Sequence, residues 1–256
     1  MPRLTLLLFS CCGLLLSDPV YTAASLVNAA DNQAGWLAPN ALATLYGKQL
    51  AYTTRTLLAS DLHGEQLPPM LPGTGVSILV HGLTGYPIYV SPTQVNFLIP
   101  GNLLPGPADV QLVVDGIAGP LISLTLGVTA PALFELDPQT AVATRPDGSV
   151  IEASAPIAPG EWAILYANAL GPIAPPLGPG EIPTAAAQID QSDFVLTLDG
   201  VAVPSYSLEY VGVAPGYAGL YQINLLVPMG TGANPEIRIR IGNALSKAGL
   251  HLPVQP

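Results

Sequence analysis

Three histidines, His63, His81 and His251, are the side chains best suited to proton transfer or metal binding near neutral pH. Hydrolase triads and zinc sites are usually signalled by a Gly-x-Ser-x-Gly turn, a His-Glu-x-x-His helix or a close pair of histidines. None of these patterns occurs in the chain. We therefore expect solvated histidines, no catalytic residue and no cofactor-binding residue, and we interpret the protein as a non-enzyme.

Carboxylates form two short pairs that could contribute oxygen ligands to calcium. Asp190 lies near Asp193 in a polar segment, and Glu135 lies near Asp137. A calcium loop typically supplies three or more ligands within about a dozen residues. Because only pairs occur here, we expect charges that solubilise the surface and no metal ligand.

Four amide side chains recur at matching places of two strand-like segments. In Gln94-Val95-Asn96-Phe97 and Gln222-Ile223-Asn224-Leu225, amides alternate with apolar residues, so each amide pair lies on the strand face opposite the core. These amides could line a ligand groove. We favour the interpretation that they pair with the backbone of the preceding turn and hold that loop in place.

Aromatic side chains could stack on sugar rings if several were exposed together. The tyrosines from Tyr206 to Tyr221 form the cluster that could build such a carbohydrate-binding surface. The alternation of apolar residues directs most aromatic side chains inward, so packing in the core is the expectation for Trp36, Trp162, Tyr46, Tyr166, Tyr206, Tyr210, Tyr217 and Tyr221.

The charge balance argues against nucleic acid as a partner. The 256-residue chain has 7 Lys and Arg against 17 Asp and Glu, a formal net charge of −10. Tight nucleic-acid binding uses about 6 to 10 phosphate contacts clustered on one face. The few cationic side chains are instead scattered along the sequence, and anionic membranes are disfavoured for the same reason.

Residues 1–24 have the layout of a secretory signal peptide. A basic start at Arg3 is followed by an apolar run from Leu4 to Leu16 and a small-residue exit at Ala23-Ala24. The apolar run is about 13 residues, shorter than the ~20 that cross a bilayer, so no transmembrane anchor is expected. Cys11 and Cys12 are the two cysteines of the chain and both lie inside this run. We predict a secreted or cell-envelope protein, with lipoprotein cleavage before Cys11 as a less favoured alternative.

The composition favours an all-β fold. Half of the residues are apolar and 9% are charged, and 26 Gly with 28 Pro interrupt the chain frequently. Such a density of proline disfavours helices. Val, Ile, Leu, Thr and Tyr between regular turn signals favour short strands. About 230 residues follow the leader, which is enough for two sandwiches of roughly 100 to 120 residues.

The sequence also contains an internal repeat. Residues 37–46 (LAPNALATLY) return at 157–166 (IAPGEWAILY), and residues 93–100 (TQVNFLIP) return at 221–228 (YQINLLVP). A weaker echo links 80–87 with 198–204, and blocks repeated in order indicate duplication. The sequence therefore predicts a first β-sandwich unit at 25–127, a connecting segment or hairpin at 128–155 and a second β-sandwich unit at 156–256.

Two further patterns refine this prediction. Asp115-Gly116, Asp147-Gly148 and Asp199-Gly200 are typical of hairpin corners that need a positive φ. The alternating run from 236 to 241 places Arg238 and Arg240 toward solvent.

These motifs, together with Ser91-Pro92-Thr93-Gln94 and Pro215-Gly216-Tyr217-Ala218-Gly219, resemble the Solibacter-type C-terminal domain of exported acidobacterial proteins. The resemblance runs from Ser25 to the C-terminus. It implies two tandem immunoglobulin-like units related to the IPT/TIG type, which serve mostly as spacers or interaction modules. In that family the domain usually follows much larger exported regions and has no established activity.

The function predicted from the sequence is that of a non-catalytic exported structural or adhesive protein. It would bind an unidentified protein partner through its sandwich surfaces. A carbohydrate-binding module that uses the cluster from Tyr206 to Tyr221, with a polysaccharide as its partner, is the alternative.

Overall fold

The computed structural model describes residues 18–256, which are almost entirely β-structure. Within that range the helical segments are three single 3-10 turns, Ala23–Ser25, Ala59–Asp61 and Ser205–Ser207. The described residues contain no helix that is long and apolar enough to cross a membrane. The predicted all-β fold is confirmed, and most of the predicted signal peptide lies outside the described residues.

Nine strands build the first unit. They are β1 (Leu26–Asn28), β2 (Leu42–Tyr46), β3 (Arg55–Thr56), β4 (Val76–Val80), β5 (Leu83–Val90), β6 (Gln94–Leu98), β7 (Gly106–Val114), β8 (Ile117–Ala118) and β9 (Ile122–Leu126).

The nine strands form two antiparallel layers that share β5. The first residues of β5 pair with β4, and its last residues pair with β6, so the strand passes from one layer to the other. The order of strands is β1-β2-β6-β5-β4-β7-β8, with β3 on β5 and β9 on β7. Val95 and Phe97 are fully buried in the core between the layers, as the alternation in β6 predicts.

Thirteen strands follow in the second part of the chain. They are β10 (Ala132–Leu133), β11 (Glu135–Asp137), β12 (Thr140–Ala141), β13 (Ala143–Thr144), β14 (Trp162–Asn168), β15 (Ile173–Ala174), β16 (Gln188–Ile189), β17 (Phe194–Leu198), β18 (Val201–Ala202), β19 (Leu208–Val213), β20 (Tyr221–Leu226), β21 (Ile237–Ile241) and β22 (Ala244–Leu245).

The second unit has two separate main sheets. One has the order β10-β14-β20-β19-β16-β15, with β13 also on β14, and the other has the order β18-β17-β21-β22. One hydrophobic core joins the two sheets, with Ile223 and Leu225 of β20 in the same cluster as Leu196 of β17 and Ile239 of β21. The segment 128–155 supplies β10 to β13, and two of these strands, β10 and β13, pair directly with β14.

The internal repeat appears in the strand register. Ala43 pairs with Phe97 in the first unit, and Ala163 pairs with Leu225 in the second, with all four side chains buried. Pairs on the opposite face of the sheet are also equivalent. Leu42 opposite Leu98 in the first unit corresponds to Trp162 opposite Leu226 in the second, and Tyr46 opposite Gln94 corresponds to Tyr166 opposite Gln222.

The two units meet along a junction that combines backbone pairing, a buried amide and apolar contacts. The Leu67 N–H donates to the Gly180 carbonyl oxygen at 2.9 Å, and the Ile182 N–H donates to that of Glu65 at 2.7 Å. Asn168, at the end of β14, is fully buried against the first unit. An apolar cluster across the junction contains Leu42, Leu67, Leu98, Tyr86, Phe134, Ile182 and Ala218.

Residues 18–24 pack on the first unit. Val20 exchanges two backbone hydrogen bonds with Lys48. Tyr21 is 5% exposed, and its hydroxyl accepts from the Leu112 N–H at 2.8 Å and donates to the Pro120 carbonyl oxygen at 2.7 Å. A chain cut after residue 24 would lose these contacts.

Candidate functional site

A cleft of about 380 Å³ opens between the two units. We call it the junction cleft. One wall comes from the loop that follows β1, and the other comes from the β21–β22 hairpin and the residues after it. It is lined by Asn28, Asp31, Gln33, Trp36, Ala130, Pro131, Arg238, Asn243, Leu245, Ser246, Lys247 and Ala248.

Trp36 provides the aromatic surface of the junction cleft. Its side chain is 54% exposed although its backbone is held in place. The Asn28 side-chain amide donates to the Ala130 carbonyl oxygen at 3.2 Å and to that of Trp36 at 3.5 Å, and its Oδ1 accepts from the Ala30 N–H at 3.0 Å. The loop is therefore fixed by a buried amide while the indole remains available for contact.

Acidic and basic groups lie beside the indole. Asp31 Oδ1 accepts from the Gln33 N–H at 3.0 Å, and burial raises the pKa of Asp31. The nearby Glu135 carboxylate acts in the same direction, whereas Lys247 lowers that pKa. Lys247 Nζ forms a 2.7 Å ion pair with Glu135. The cleft therefore holds the Asp31 carboxylate next to the Lys247–Glu135 ion pair, which has no net charge.

Arg238 supplies a further donor. It lies opposite Thr197 on the outward face of β21, and its Nη2 donates to the Ser246 carbonyl oxygen at 2.6 Å. Its Nε is buried and has no hydrogen-bond partner within the described chain. A buried N–H without a partner is costly, and because this atom has no exposed surface, only the terminal guanidinium nitrogens of Arg238 remain as donors toward the cleft. Arg238 was predicted to face solvent, and it is half-buried because the first unit lies close to it.

The junction cleft can thus bind a molecule that has an apolar face and several hydroxyl groups. Trp36 offers the flat apolar contact, while Asp31, Gln33, Asn243 and Arg238 offer acceptors and donors. Mostly preformed concave sites with a few convergent polar groups are typical of ligand binding, and they often lie between domains.

Most aromatic residues predicted to be in the core lie at the surface. Of the eight, only Tyr221 is buried; Tyr46, Trp36, Tyr217 and Tyr206 are 40%, 54%, 64% and 81% exposed, and Trp162, Tyr166 and Tyr210 are half-buried. The core prediction was wrong for the four exposed residues, and the three half-buried residues are only partly covered. In β14 the apolar residues occupy both faces of the strand, so alternation alone does not identify the inward face.

The structure does not assemble the tyrosine cluster into one platform. Tyr206 precedes β19 and Tyr217 follows it, so they lie at opposite ends of the β19–β20 pair, roughly 17 Å or more apart at about 3.3 Å per residue. The Tyr210 hydroxyl donates to the Val213 carbonyl oxygen at 2.6 Å, and the Tyr221 hydroxyl donates to that of Gly171 at 2.6 Å.

The amide pairs have a different role from the predicted one. Gln94 Nε2 donates to Asn96 Oδ1 at 2.8 Å, and Gln222 Nε2 donates to Asn224 Oδ1 at the same distance. The interpretation that they hold the preceding turn was wrong. In the first unit the Ser91 hydroxyl does so, by accepting from the Gln94 backbone N–H at 3.0 Å.

The histidines lie in separate places. His63 is in an exposed loop, His81 is in the turn between β4 and β5, and His251 is half-buried beside Gln139.

Three of the four paired carboxylates, Asp190, Asp137 and Glu135, are engaged in local contacts. Backbone N–H groups lower the pKa of Asp190 through Ser192 and that of Asp137 through Gln139, and Glu135 pairs with Lys247. Residues 18–256 contain no group of three or more His, Cys, Asp or Glu positioned to hold a metal ion.

A second concave surface lies at the end of the second unit away from Asn168. We call this surface the distal groove. Its volume is about 380 Å³. Three strongly exposed side chains line it, Val201, Tyr206 and Met229, together with Pro204, Pro228 and Pro235.

Sequence reasoning missed the junction cleft. Trp36 and Asp31 are separated from Arg238 and Lys247 by about two hundred residues, and no local pattern links them. The available signal was Trp36 itself, a large aromatic residue between Gly35 and the repeated block, at a position that has no aromatic counterpart in the second copy.

No family model matches the chain, and no curated protein matches its sequence. Solved structures include two with distant similarity. One is the mixed-linkage glucan utilization locus SGBP-B of Bacteroides ovatus in complex with a mixed-linkage heptasaccharide, with 14% identity over 86% of this chain and 43% of that chain, and a TM-score of 0.36. The other is the surface glycan-binding protein PbSGBP-B of Prevotella bryantii, with 8% identity over 92% of this chain and 42% of that chain, and a TM-score of 0.29. This chain spans less than half the length of each.

Proposed function

We propose that the chain is an exported, non-catalytic carbohydrate-binding protein that holds a neutral sugar chain in the junction cleft. The observation that carries this proposal is the exposed indole of Trp36 beside donors and acceptors from both units. A sugar ring has an apolar C–H face and a rim of hydroxyl groups. An aromatic plane next to a carboxylate, an amide and a guanidinium is complementary to both features.

Charge favours a neutral sugar over an acidic one. In and beside the junction cleft, two carboxylates, Asp31 and Glu135, balance two cations, Arg238 and Lys247. The whole chain has a formal net charge of −10 and would repel a polyanion.

The test is binding of the full chain to soluble polysaccharides by affinity gel electrophoresis and calorimetry. Suitable probes are a mixed-linkage β-glucan, a xyloglucan and a galactomannan, with anionic alginate as a charged comparison. We expect retention by at least one neutral polymer and none by alginate. A folded chain that none of the neutral polymers retains contradicts the proposal.

Trp36→Ala localises the site. Loss of an aromatic anchor is expected to weaken binding about 10- to 30-fold, since truncation of such a residue costs about 1.4 to 2 kcal/mol. The matched control is Tyr52→Ala, because Tyr52 is 48% exposed and does not line the cleft. Equal affinity of Trp36→Ala and the parent chain would remove the junction cleft as the site.

A second candidate function is that of an adhesive or spacer protein, which the sequence predicted. The distal groove favours it, because three strongly exposed apolar side chains, Val201, Tyr206 and Met229, line the same concave surface. Crosslinking in envelope extracts should then recover a protein partner that Met229→Asp no longer captures. Capture that persists in this variant would count against the distal groove.

A further inference from the structure

The outward face of the main sheet in the second unit has an unusual surface for a solvated β-sheet. Trp162, Ile164 and Tyr166 follow one another on this face of β14, and all three are half-exposed. Asn224 and Gln222 of β20 lie opposite Ile164 and Tyr166. We call these five residues the outer face.

The first unit shows what the equivalent position looks like when it is covered. Leu42 and Leu98 occupy the places of Trp162 and Leu226 in the repeat. They are 8% and 0% exposed because the β19–β20 loop of the second unit lies on them. A Cβ atom at Gly219 of that loop would lie 2.5 Å from Leu98 Cδ1 and 3.0 Å from Leu42 Cγ.

In the second unit the same position is open. Trp162 and Leu226 remain half-exposed, and a cavity of about 200 Å³ lies beside the indole. The counterpart of the β19–β20 loop in the first unit is the β5–β6 turn, which spans only 91–93 against 214–220. The repeat therefore provides no equivalent cover for this position of the second unit.

The polar groups of the outer face are preorganised. Gln222 Nε2 donates to Asn224 Oδ1 at 2.8 Å, which fixes both amides. This arrangement leaves Asn224 Nδ2 as a donor and Gln222 Oε1 as an acceptor toward the face. Asn224 lines the cavity with Trp162 and Glu209, so an indole, an amide and a carboxylate converge there.

We propose that the outer face is a second sugar-binding surface. It binds several adjacent rings of the same neutral polysaccharide that the junction cleft binds. This inference rests on the proposed function. Trp162 would pack on the apolar face of one ring, while Asn224 and Glu209 bind its hydroxyl groups. Trp162 and Tyr166 are four residues apart on one strand, about 13 Å, so the surface is longer than one ring and favours a polymer. Glu209 is the one charged side chain lining the cavity, which disfavours an acidic sugar.

The chain has two tryptophans, Trp36 in the junction cleft and Trp162 on the outer face. Tryptophan fluorescence can therefore monitor ligand binding at each surface separately. In full-length Trp36→Ala the tryptophan emission, excited selectively over the tyrosines, comes from Trp162 alone, and in Trp162→Ala it comes from Trp36 alone. The probe is the neutral polysaccharide that the parent chain retains most strongly, together with a hexasaccharide prepared from it.

We expect a saturable blue shift of Trp162 emission in Trp36→Ala, and two hexasaccharide sites in the parent chain by calorimetry. Trp162→Ala should keep one site and bind the polymer at least about 5-fold more weakly, since it loses the second point of attachment. Asn224→Asp is a second variant that keeps the acceptor for Gln222 and removes the donor, and it should also lose this site. Circular dichroism checks that both variants are folded.

The outcomes separate the two proposals. If the parent chain retains no neutral polysaccharide, the proposed function fails and this inference fails with it. If the parent chain binds one hexasaccharide, and Trp162 emission stays constant in titrations of Trp36→Ala, only the outer-face inference is overturned. Loss of a protein contact in Trp162→Ala with unchanged sugar binding would also overturn it.

Discussion

The Tyr221 side chain shows how a single buried polar group links pH to the stability of the second unit. It is completely buried at the first residue of β20, where its hydroxyl donates to the Gly171 carbonyl oxygen at 2.6 Å. Burial raises the pKa of Tyr221 to about 12, because the phenolate would lose its hydration.

The expected consequence is a loss of stability at alkaline pH. A raised pKa in the folded state means that the stabilisation is fully present below the unfolded-state pKa near 10, and that it is lost as the pH rises toward about 12. Tyr221→Phe removes the hydrogen bond and should cost about 1 kcal/mol at pH 8. Its deficit relative to the parent chain should shrink between pH 10 and 12, as measured by urea unfolding. Tyr217→Phe is the control, since Tyr217 is 64% exposed. A constant deficit across this range would contradict the assignment.

At the scale of strands, the sequence predicts where the strands and turns lie better than it predicts which side chains are exposed. The pattern in β6 and β20 correctly places Val95, Phe97, Ile223 and Leu225 in the two cores. The Asp115 and Asp199 corners adopt φ values of 47° and 50°, as their Asp-Gly pairs predict. In β14 the pattern fails, because Trp162, Ile164 and Tyr166 are apolar and face outward. Strand identity follows from composition, whereas the choice of face depends on which side a second layer covers.

Two glycines of one loop test how closely the units are packed. Gly219 has φ +72° and lies against Leu98 and Leu42, whereas Gly216 has φ +87° and no atom within 4 Å of a Cβ placed there. Both alanine substitutions carry a backbone cost of about 1 kcal/mol or more at positive φ. Gly219→Ala adds steric overlap of about 1 to 3 kcal/mol. We expect it to be less stable than Gly216→Ala by that amount in chemical unfolding. Equal stability of the two variants would mean that the loop does not press on the first unit.

At the scale of the whole molecule, the repeat leads to a prediction of two units, but it does not predict the contacts at their junction. An internal repeat shows which positions of the two units are equivalent, but it gives no information about the contacts between the units. Asn168 has no local pattern that marks it as a junction residue, although its side chain bonds to Leu42 of β2 and Asn28 of β1, which are 126 and 140 positions away. The junction cleft was missed for the same reason, because its two walls come from opposite ends of the chain.

Asn168 should couple the unfolding of the two units. Its Oδ1 accepts from the Leu42 N–H at 3.0 Å, and its Nδ2 donates to the Leu42 carbonyl oxygen at 2.7 Å and to Asn28 Oδ1 at 2.8 Å. Asn168→Ala removes three buried hydrogen bonds and leaves the Leu42 N–H without the partner that Asn168 Oδ1 provides, which should cost about 2 to 4 kcal/mol. Because the lost bonds cross the junction, we expect calorimetry to show one transition for the parent chain and two for the variant. Asn102→Ala, at an exposed position, is the control and should change stability by no more than about 0.5 kcal/mol. A variant that unfolds in one transition at the parent temperature would show that the amide does not hold the units together, and the junction cleft would then need another source of rigidity.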